Sequence, residues 1–369
     1  MTIPLEFIGM IQPRLQSETH PPDKSVVIDK TYLRAFAQAH EAAGFDRVLI
    51  GYYADAPDGF LIGSYIAGQT ERIGLLLAHR PGFVAPTLAA RALATLDQLS
   101  DGRLAVHIIS GGDDADQRRD GDFLGKDDRY ARTEEYVRIL KDVWTASAPV
   151  SHRGRYYQFE NAGIQVRSVQ QPHIPIYFGG ASQAAIDVSA KHADVFALWG
   201  ETQAQVKDIT TRVRAAAVLQ GRDLRFSLSF RPILGATEDA AWARAHDILE
   251  TTKRVAGKAW LGGSASGAPQ NEGSRRLLEA AAQGDRLDKC LWTSIAKATG
   301  ARGNTTALVG TPKQVAETLL DYWRLGVSTF LIRGFDPLED AVECGKELLP
   351  LTRELVAEET ARNPERRLA

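Results

Sequence analysis

Short apolar runs alternate with amphipathic stretches along most of the 369-residue chain. The runs whose continuous hydrophobicity is typical of buried parallel strands are Leu5–Ile11, Arg47–Tyr52, Ile73–His79, Leu104–Ser110, Ile174–Gly179, Val195–Trp199, Phe226–Leu234 and Thr329–Arg333. The stretches with apolar residues at helical spacing are Tyr32–Ala43, Pro86–Leu99, Tyr130–Trp144, Gln183–His192, Gln203–Leu219, Glu238–Thr251, Lys313–Leu325 and Leu338–Arg353. This repetition predicts a (β/α)8 TIM barrel, because eight parallel strands close into a barrel.

Two segments interrupt the alternation. Val150–Gln171 contains short polar and apolar pieces, which predict a hairpin before the fifth strand. Gly257–Asn304 is longer than an ordinary connection, and it lies between strands seven and eight. Insertions at this place in a barrel are typical of lids. We therefore expect one domain over residues 1–369 with a lid over 257–304. A doubly wound sheet is the alternative, but no G-x-G-x-x-G motif follows the first strand.

Composition and charge exclude several classes of protein. The chain is 44% hydrophobic and 24% charged, with a formal net charge of -2. These proportions are typical of a globular protein and give no basic excess for nucleic acid. No apolar segment is long enough to cross a membrane, and the two cysteines, Cys290 and Cys344, are too few for a disulfide framework. The sequence predicts a cytoplasmic protein that binds neither nucleic acid nor membrane.

The residues at the strand ends exclude two kinds of chemistry. No lysine ends a predicted strand, which disfavours a Schiff-base aldolase. No tight cluster of His, Asp and Glu follows the strands, so no metal site is predicted. Asp113, Asp114 and Asp116 form an acidic run after strand four, and we interpret it as a solvated loop.

Glycine and aromatic residues at other strand ends leave two readings open. Gly179–Ser182 leads from strand five directly into a helix. Such a segment can bind a phosphate through helix N-terminal N–H groups, or it can be a simple tight turn. Tyr52, Tyr53 and Trp199 could stack on a flat cofactor or pack at the rim of the barrel.

Three arginines raise the possibility of an anionic ligand. Arg231 lies on strand seven, Arg302 lies in the insertion and Arg333 ends strand eight. Each alone is typical of a surface residue or an ion pair. Three planar cations at adjacent barrel elements favour an anionic substrate.

Several sequence blocks resemble one enzyme family. They are Ala85–Arg103 (APTLAARALATLDQLSDGR), Asp128–Tyr130, Tyr177–Gly180, Trp199–Glu201, Thr306–Gly310 and Gly334–Phe335 with Leu338–Ala341. In this order they resemble the bacterial-luciferase-like flavin enzymes, and most nearly the FMNH2-dependent alkanesulfonate monooxygenases. The resemblance implies a barrel with a lid after strand seven. It also implies reduced FMN (FMNH2) and O2 as co-substrates, a separate NAD(P)H-dependent FMN reductase and a homodimer or homotetramer.

The resemblance also implies roles for particular residues. The flavin phosphate would bind Lys126, Tyr130, Gly180, Ala181 and Ser182. The flavin ring would lie beside His79, Ser110 and Gly111, with an unusual cis peptide between Ala78 and His79. On the substrate side, Trp199 and Arg302 match residues of the alkanesulfonate enzymes. From their places at the strand ends we also expect substrate contacts from Tyr52, Arg231, Arg333 and Phe335. Of these, Trp199, Arg231 and Arg302, together with His79 as a candidate acid or base, are the expected catalytic residues.

The sequence departs from the alkanesulfonate enzymes in the expected pocket. Ala56 stands in the place of a cysteine, Ser229 and Arg231 in the places of an arginine and a histidine, and Phe335 in the place of a tyrosine. We therefore expect C–S cleavage of an organosulfonate to sulfite and an aldehyde, with a larger or more polar substrate such as a sulfonated sugar of the sulfoquinovose type. The alternatives are an F420-dependent dehydrogenase, an FMNH2-dependent monooxygenase of a sulfone or an amine-type compound, and a non-catalytic flavin-binding barrel.

Overall fold

The computed structural model describes residues 5–163, 165–256 and 271–362. Its strands are β1 Glu6–Ile11, β2 Arg47–Ile50, β3 Gly74–His79, β4 Leu104–Ile108, β5 Val150–Arg153, β6 Gln158–Ala162, β7 Ile176–Gly179, β8 Val195–Trp199, β9 Arg225–Leu234, β10 Arg286–Leu287, β11 Leu291–Trp292, β12 Ala307–Gly310 and β13 Val327–Ile332. Its α-helices are α1 Lys30–Ala42, α2 Gly59–Ala67, α3 Pro86–Leu99, α4 Asp114–Arg119, α5 Lys126–Thr145, α6 Gln183–His192, α7 Gln203–Val218, α8 Glu238–Ala256, α9 Glu272–Gln283, α10 Ser294–Thr299, α11 Pro312–Arg324, α12 Pro337–Glu343 and α13 Leu349–Arg362. A π-helical turn, Cys344–Leu348, joins the last two helices.

The predicted barrel is confirmed. Eight strands follow one another in the order β9–β13–β1–β2–β3–β4–β7–β8, and β8 pairs in turn with β9. These strands coincide with the eight predicted apolar runs. β3 is buried along its whole length, which is why its sequence is apolar without alternation. The predicted hairpin is also present, as the antiparallel pair β5 and β6.

Some elements were not predicted. The apolar run that forms α2 has no polar face, and the helix begins where the Asp58 side chain accepts a hydrogen bond from the Leu61 N–H at 2.9 Å. β12 is only four residues long, and it pairs in parallel with the second half of β9, Arg231 to Leu234. The first half of β9 pairs with β13 instead. Arg231 therefore lies where β9 changes partner.

The chain divides into two compact units. The first unit comprises Met1–Val48, Ala197–Arg212 and Arg225–Ala369, and the second comprises Leu49–Phe196 and Val213–Leu224. In the first unit the rings of Phe7 on β1 and Phe330 on β13 pack with centroids 6.2 Å apart. In the second unit the Trp144 indole on α5 donates a hydrogen bond to the Ala90 carbonyl on α3, at 3.0 Å. A single domain over residues 1–369 stays a prediction.

The insertion is described from residue 271 onward, and residues 257–270 lie outside the described part of the chain. Helix α9 buries Leu277, Ala280 and Ala281 within the first unit. Strands β10 and β11 form a hairpin that extends the sheet antiparallel to β12. This part of the insertion is therefore packed structure, and its action as a lid stays a prediction. None of the described helices has the length and hydropathy required to span a bilayer.

Candidate functional site

The segment between β7 and α6 has the geometry of an anion-binding helix N-terminus. Ser182 is the N-cap of α6, and its hydroxyl accepts a hydrogen bond from the Ala185 N–H at 3.3 Å. Gly180 has a φ of 141°, which favours glycine, and a Cβ there would lie 2.7 Å from the Ala185 Cβ and 3.3 Å from the Tyr130 hydroxyl. Only glycine fits this position, where the chain passes close to Ala185 and Tyr130 before the N-terminus of α6. The N–H groups of such a terminus can bind a phosphate.

Tyr130 on α5 completes this segment. Its hydroxyl hydrogen-bonds with the Ser182 side chain, and burial raises the pKa of Tyr130, so the phenol stays protonated as a donor. Lys126 is exposed one helical turn earlier and shares a helix face with Tyr130. The structure thus brings Tyr130, Gly180 and Ser182 together, with half-buried Ala181 between the last two. The Tyr130 and Ser182 hydroxyls, the N-terminus of α6 and the positive charge of Lys126 are all groups that can bind a phosphate.

His79 ends β3 in an apolar environment. Its Nε2 lies 2.7 Å from the Tyr136 hydroxyl, which in turn donates to the Val84 carbonyl at 3.1 Å. Burial lowers the pKa of His79 to about 4. The imidazole is therefore neutral at pH 7, and this bonding pattern makes Nε2–H the donor to the tyrosine oxygen.

The expected cis peptide between Ala78 and His79 is wrong. Among the described residues, the cis peptide bond is the one between Gln171 and Pro172. β3 stays in register with β4 through His79, whose carbonyl accepts from the Ile109 N–H at 3.0 Å. Regular sheet pairing to the end of the strand accounts for the trans bond.

Ser110 and Gly111 follow β4 and contact two different helices. The Ser110 hydroxyl donates to the Thr133 hydroxyl on α5 at 3.1 Å. Gly111 has a φ of 82°, and a Cβ there would overlap the Gln117 side-chain amide on α4. Both residues are half-buried at the end of β4, and their place beside a flavin ring stays a prediction.

The interpretation of the acidic run as a solvated loop is wrong. Asp113 is the N-cap of α4, and the other two carboxylates bind arginines. Asp114 pairs with Arg129 at 2.8 Å, and Asp116 pairs with Arg80. The run forms a short helix because Asp113 satisfies its first N–H groups and the arginines offset its charge.

Tyr52 lies at an open cleft of the second unit. The cleft has a volume of about 390 Å³, and its lining residues are Tyr52, Gly82, Phe83, Asp120, Gly121, Asp122 and Arg132. The Tyr52 hydroxyl donates to Asp120 at 3.1 Å. The Tyr52 and Phe83 rings are within 12° of parallel, with centroids 6.3 Å apart. Tyr53, in contrast, is an exposed surface residue.

In the first unit, two of the three predicted arginines bind an internal carboxylate. Glu18 Oε2 lies 2.5 Å from Arg231 Nη1, and Glu18 Oε1 accepts a hydrogen bond from Arg333 Nη2 at 2.6 Å. Burial alone would raise the pKa of Glu18, but the two guanidiniums outweigh it and lower the pKa to about 2. Arg231 and Arg333 do converge on one anion, and in this structure that anion is Glu18.

Phe335 and Arg231 are both enclosed. Each has 0% of its surface exposed. The Arg231 guanidinium lies 3.5 Å from the centre of the Phe335 ring and donates to the Gly334 carbonyl at 2.7 Å. The Phe335 ring packs in the core with Ile233 and Ala241. Both side chains are therefore enclosed by the protein, although Arg231 Nε and Nη1 have no hydrogen-bond partner among the described residues and Nη1 is held only by the ion pair with Glu18.

Trp199 contacts the described part of the insertion. A Cβ on Gly273 of α9 would lie 2.9 Å from the Trp199 indole, so glycine allows the helix to lie directly on the ring. Arg276 of α9 donates to Glu201 next to it, from Nε at 2.8 Å and from Nη2 at 2.6 Å. This buried pair fixes α9 against the end of β8. Arg302 is exposed beyond α10.

Sequence reasoning missed two residues of these networks, although both follow barrel strands. Glu18 lies in the segment after β1, and Arg80 directly follows His79 at the end of β3. Inspecting the first residues after each strand, rather than its last residue, could have found both.

Comparison with known proteins gives a family and a fold. The family model of luciferase-like monooxygenases matches residues 5–329. A riboflavin lyase solved with modified FMN and riboflavin is 19% identical, with a TM-score of 0.78 over 95% of this chain and 92% of that one. EDTA monooxygenase from Chelativorans sp. BNC1 is 18% identical, with a TM-score of 0.76 over 95% and 94%. DmoA from Hyphomicrobium sulfonivorans is 22% identical, with a TM-score of 0.76 over 96% and 89%.

Proposed function

The chain belongs to the luciferase-like monooxygenase family, and from that premise we propose that it is a two-component, FMNH2-dependent monooxygenase that cleaves the C–S bond of an organosulfonate. The sulfonate R–CH2–SO3⁻ reacts with O2 and FMNH2 to give the aldehyde R–CHO, sulfite, oxidised FMN, water and a proton. One oxygen atom of O2 enters the aldehyde and the other leaves as water. The two electrons that this requires beyond the substrate's own come from the reduced flavin.

The segment around Gly180 carries the flavin part of this proposal. Ser182 at the N-cap of α6 and the Tyr130 hydroxyl lie beside the turn at Gly180, and together they form one group of phosphate-compatible donors. Lys126 adds a positive charge one turn before Tyr130. Ala181 contributes the backbone N–H between the glycine and the cap.

The flavin, when bound, supplies the reactivity toward O2. The residues of this chain would position it and keep water out. His79, Ser110 and Gly111 would border the ring. Because the pKa of His79 is about 4, its imidazole is neutral at pH 7. It would therefore act as a hydrogen-bonding group and not as a general acid. Trp199, covered by α9, would exclude water from the substrate.

The substrate class rests on the sequence blocks that resemble the alkanesulfonate branch. Trp199 and Arg302 match that branch, and we propose that both act on the substrate. Arg302 would bring its charge to the sulfonate as the 257–304 lid closes. The changed residues Ala56, Ser229 and Phe335 favour a larger or more polar sulfonate, such as a sulfonated sugar.

The reaction also predicts partners. Reduced FMN would come from a separate NAD(P)H-dependent FMN reductase, which places the protein in the cytoplasm beside the NAD(P)H pool. We propose a homodimer or homotetramer, as the sequence resemblance implies.

A sulfite-release assay tests the proposal. The purified protein is supplied with FMNH2 and O2 across alkyl, aryl and sugar sulfonates, and sulfite is measured. We expect sulfite release that depends on both FMNH2 and O2. Hydride transfer to oxidised F420, or from reduced F420, without any use of O2 would instead assign the F420-dependent alternative. Oxygen uptake with a sulfone or an amine, but with none of the sulfonates, would mean that the protein is an FMNH2-dependent monooxygenase of that other substrate class.

Arg302→Ala separates substrate binding from flavin binding. We expect sulfite release to fall at least about tenfold, with the dissociation constant of FMNH2 within about twofold of the wild-type value. Equal losses of both would contradict a substrate-side role for Arg302.

A further inference from the structure

The Trp199 indole at the end of β8 is covered on one side and accessible on the rest of its surface. Toward its end β8 alternates in burial, with Leu198 buried and with Ala197 and Trp199 half-buried on the opposite face. The covered side of the indole packs against a small apolar cluster that includes Leu277 of α9 and Ala296 of α10. A shift of the indole would therefore change the accessible space on this face of β8.

The backbone that follows Trp199 is anchored. The Gly200 N–H donates a hydrogen bond to Asn304 Oδ1 at 3.1 Å. The Gly200 carbonyl accepts one from the Thr306 hydroxyl at 2.6 Å. Because the strand end is held in this way, the position of the indole depends on the surface against which the ring packs.

Helix α9, which forms that surface, is anchored as well. Arg276 donates to Glu201 from Nε at 2.8 Å and from Nη2 at 2.6 Å, and both side chains are buried. The Gln205 side chain donates to the Arg276 carbonyl at 3.1 Å, and the Ser274 hydroxyl donates to the Ala301 carbonyl at 2.7 Å. The helix is therefore not free to move away from the ring.

Gly273 is the residue of α9 that lies on the indole. A Cβ there would lie 2.9 Å from Cε3, 3.1 Å from Cζ3 and 3.3 Å from Cδ2 of Trp199, whereas carbon atoms in contact are normally about 3.5–4.0 Å apart. Gly273 is in the first turn of the helix, where alanine is more favourable than glycine. The aromatic ring, and not the backbone, therefore requires glycine at this position.

We propose that Gly273 is a specificity-determining residue, because its missing side chain lets the Trp199 indole lie against α9 and leaves space for a large substrate beside the ring. Since the helix and the strand end are both anchored, a methyl group at residue 273 would push the indole toward its accessible side and reduce that space. This inference rests on the proposed function, which puts Trp199 on the substrate side. It assigns the acceptance of a larger sulfonate to the contact between Gly273 and Trp199.

The test compares a small and a large sulfonate in a binding measurement that requires no turnover. Isothermal titration calorimetry with oxidised FMN present gives the dissociation constants of ethanesulfonate and sulfoquinovose. In Gly273→Ala we expect sulfoquinovose to bind at least about fivefold more weakly. Ethanesulfonate should stay within about twofold of its wild-type value. A general folding defect would affect both probes, so the ratio of the two constants separates it from a change in size selection.

Two further variants locate the effect at the indole. In the Trp199→Phe background, the smaller ring gives the added methyl group room, so Gly273→Ala should change the ratio less than about twofold. Glu279→Ala removes a side chain from the exposed side of α9 and should leave both dissociation constants at their wild-type values.

Each remaining outcome contradicts a stated part of this inference or of the proposed function. Equal weakening of both sulfonates in Gly273→Ala, or the same change in ratio with and without Trp199→Phe, would overturn the size selection. Sulfite release with an unchanged ratio would keep the proposed reaction and reject the role of Gly273. The expected ratios without sulfite release would do the reverse, and a wild-type protein that binds neither sulfonate would reject both.

Discussion

Each unit of this protein buries arginines on or near the ends of its barrel strands, but the two units pair them with carboxylates differently. In the first unit, Arg231 and Arg333 share the two oxygens of Glu18. In the second unit, each buried arginine has a carboxylate of its own, and the pairs are Arg80 with Asp116, Arg129 with Asp114 and Arg132 with Asp122. One carboxylate therefore balances two cations in the first unit and one cation in the second.

This difference decides what the loss of one carboxylate does. Removal of Glu18 would leave two buried guanidiniums unpaired, and a ligand anion could replace it only by displacing it from both. Removal of Asp116 would leave one guanidinium, that of Arg80, without its carboxylate. The position of an arginine at a strand end therefore predicts a site only together with its partners.

The largest expected effect comes from removing Glu18. Glu18→Ala leaves Arg231 and Arg333 unpaired beside each other, and we expect a loss of about 3–5 kcal/mol in the free energy of unfolding. Urea denaturation measures it. The control is Glu279→Ala, which breaks an exposed pair with Arg275 and should cost less than about 1 kcal/mol. Similar losses in both variants would show that Glu18 is not a required partner.

His79 and Glu18 should respond to acid in different pH windows. The pKa of His79 is lowered by burial to about 4, so its contribution to stability is complete above about pH 6.5 and falls as the pH drops toward 4. The pKa of Glu18 is lowered to about 2, so its contribution is complete above about pH 4.5 and falls toward pH 2. Across each window, the group's contribution to the free energy of unfolding should fall by up to about 3 kcal/mol.

Single variants assign these windows. His79→Gln should flatten the unfolding free energy between pH 6.5 and 4 (about 2–3 kcal/mol less change) without altering the range below. Glu18→Gln should flatten only the lower range. Unchanged slopes in either variant would mean that other groups control acid stability.

A smaller effect is expected at the phosphate segment of the second unit. Ser182→Asp places a carboxylate where the proposed phosphate would bind, and like charges at a helix N-terminus should weaken FMN binding at least about tenfold. Fluorescence titration of FMN measures this. Ser189→Ala, a buried serine later on the same helix, is the matched control and should retain the wild-type affinity. A Ser182→Asp variant with wild-type affinity would place the phosphate elsewhere.

The smallest effect is expected at Lys126, because its side chain is exposed. Lys126→Ala should weaken FMN binding only about two- to threefold at physiological salt, and the difference should disappear at high salt. A loss of more than about tenfold that persists in salt would make Lys126 a direct and desolvated phosphate ligand.

The barrel was predictable because its strands are buried on both faces, which leaves continuous apolar runs such as Gly74–His79 in the sequence. The helix Gly59–Ala67 was not, since a wholly apolar segment shows no helical period. The segment Gly180–Ser182 could be predicted because glycine and an N-cap serine act locally. The pairing of Glu18 with Arg231 could not, because it joins residues more than 200 positions apart.

A crystal structure of the protein with FMN and sulfoquinovose tests the central claim most directly. We expect the FMN phosphate within hydrogen-bond distance of Tyr130 or Ser182 and the sulfonate beside Trp199 and Arg302, with Glu18 still bound to Arg231 and Arg333. A sulfonate that displaces Glu18 and binds Arg231 or Arg333 would contradict this expectation.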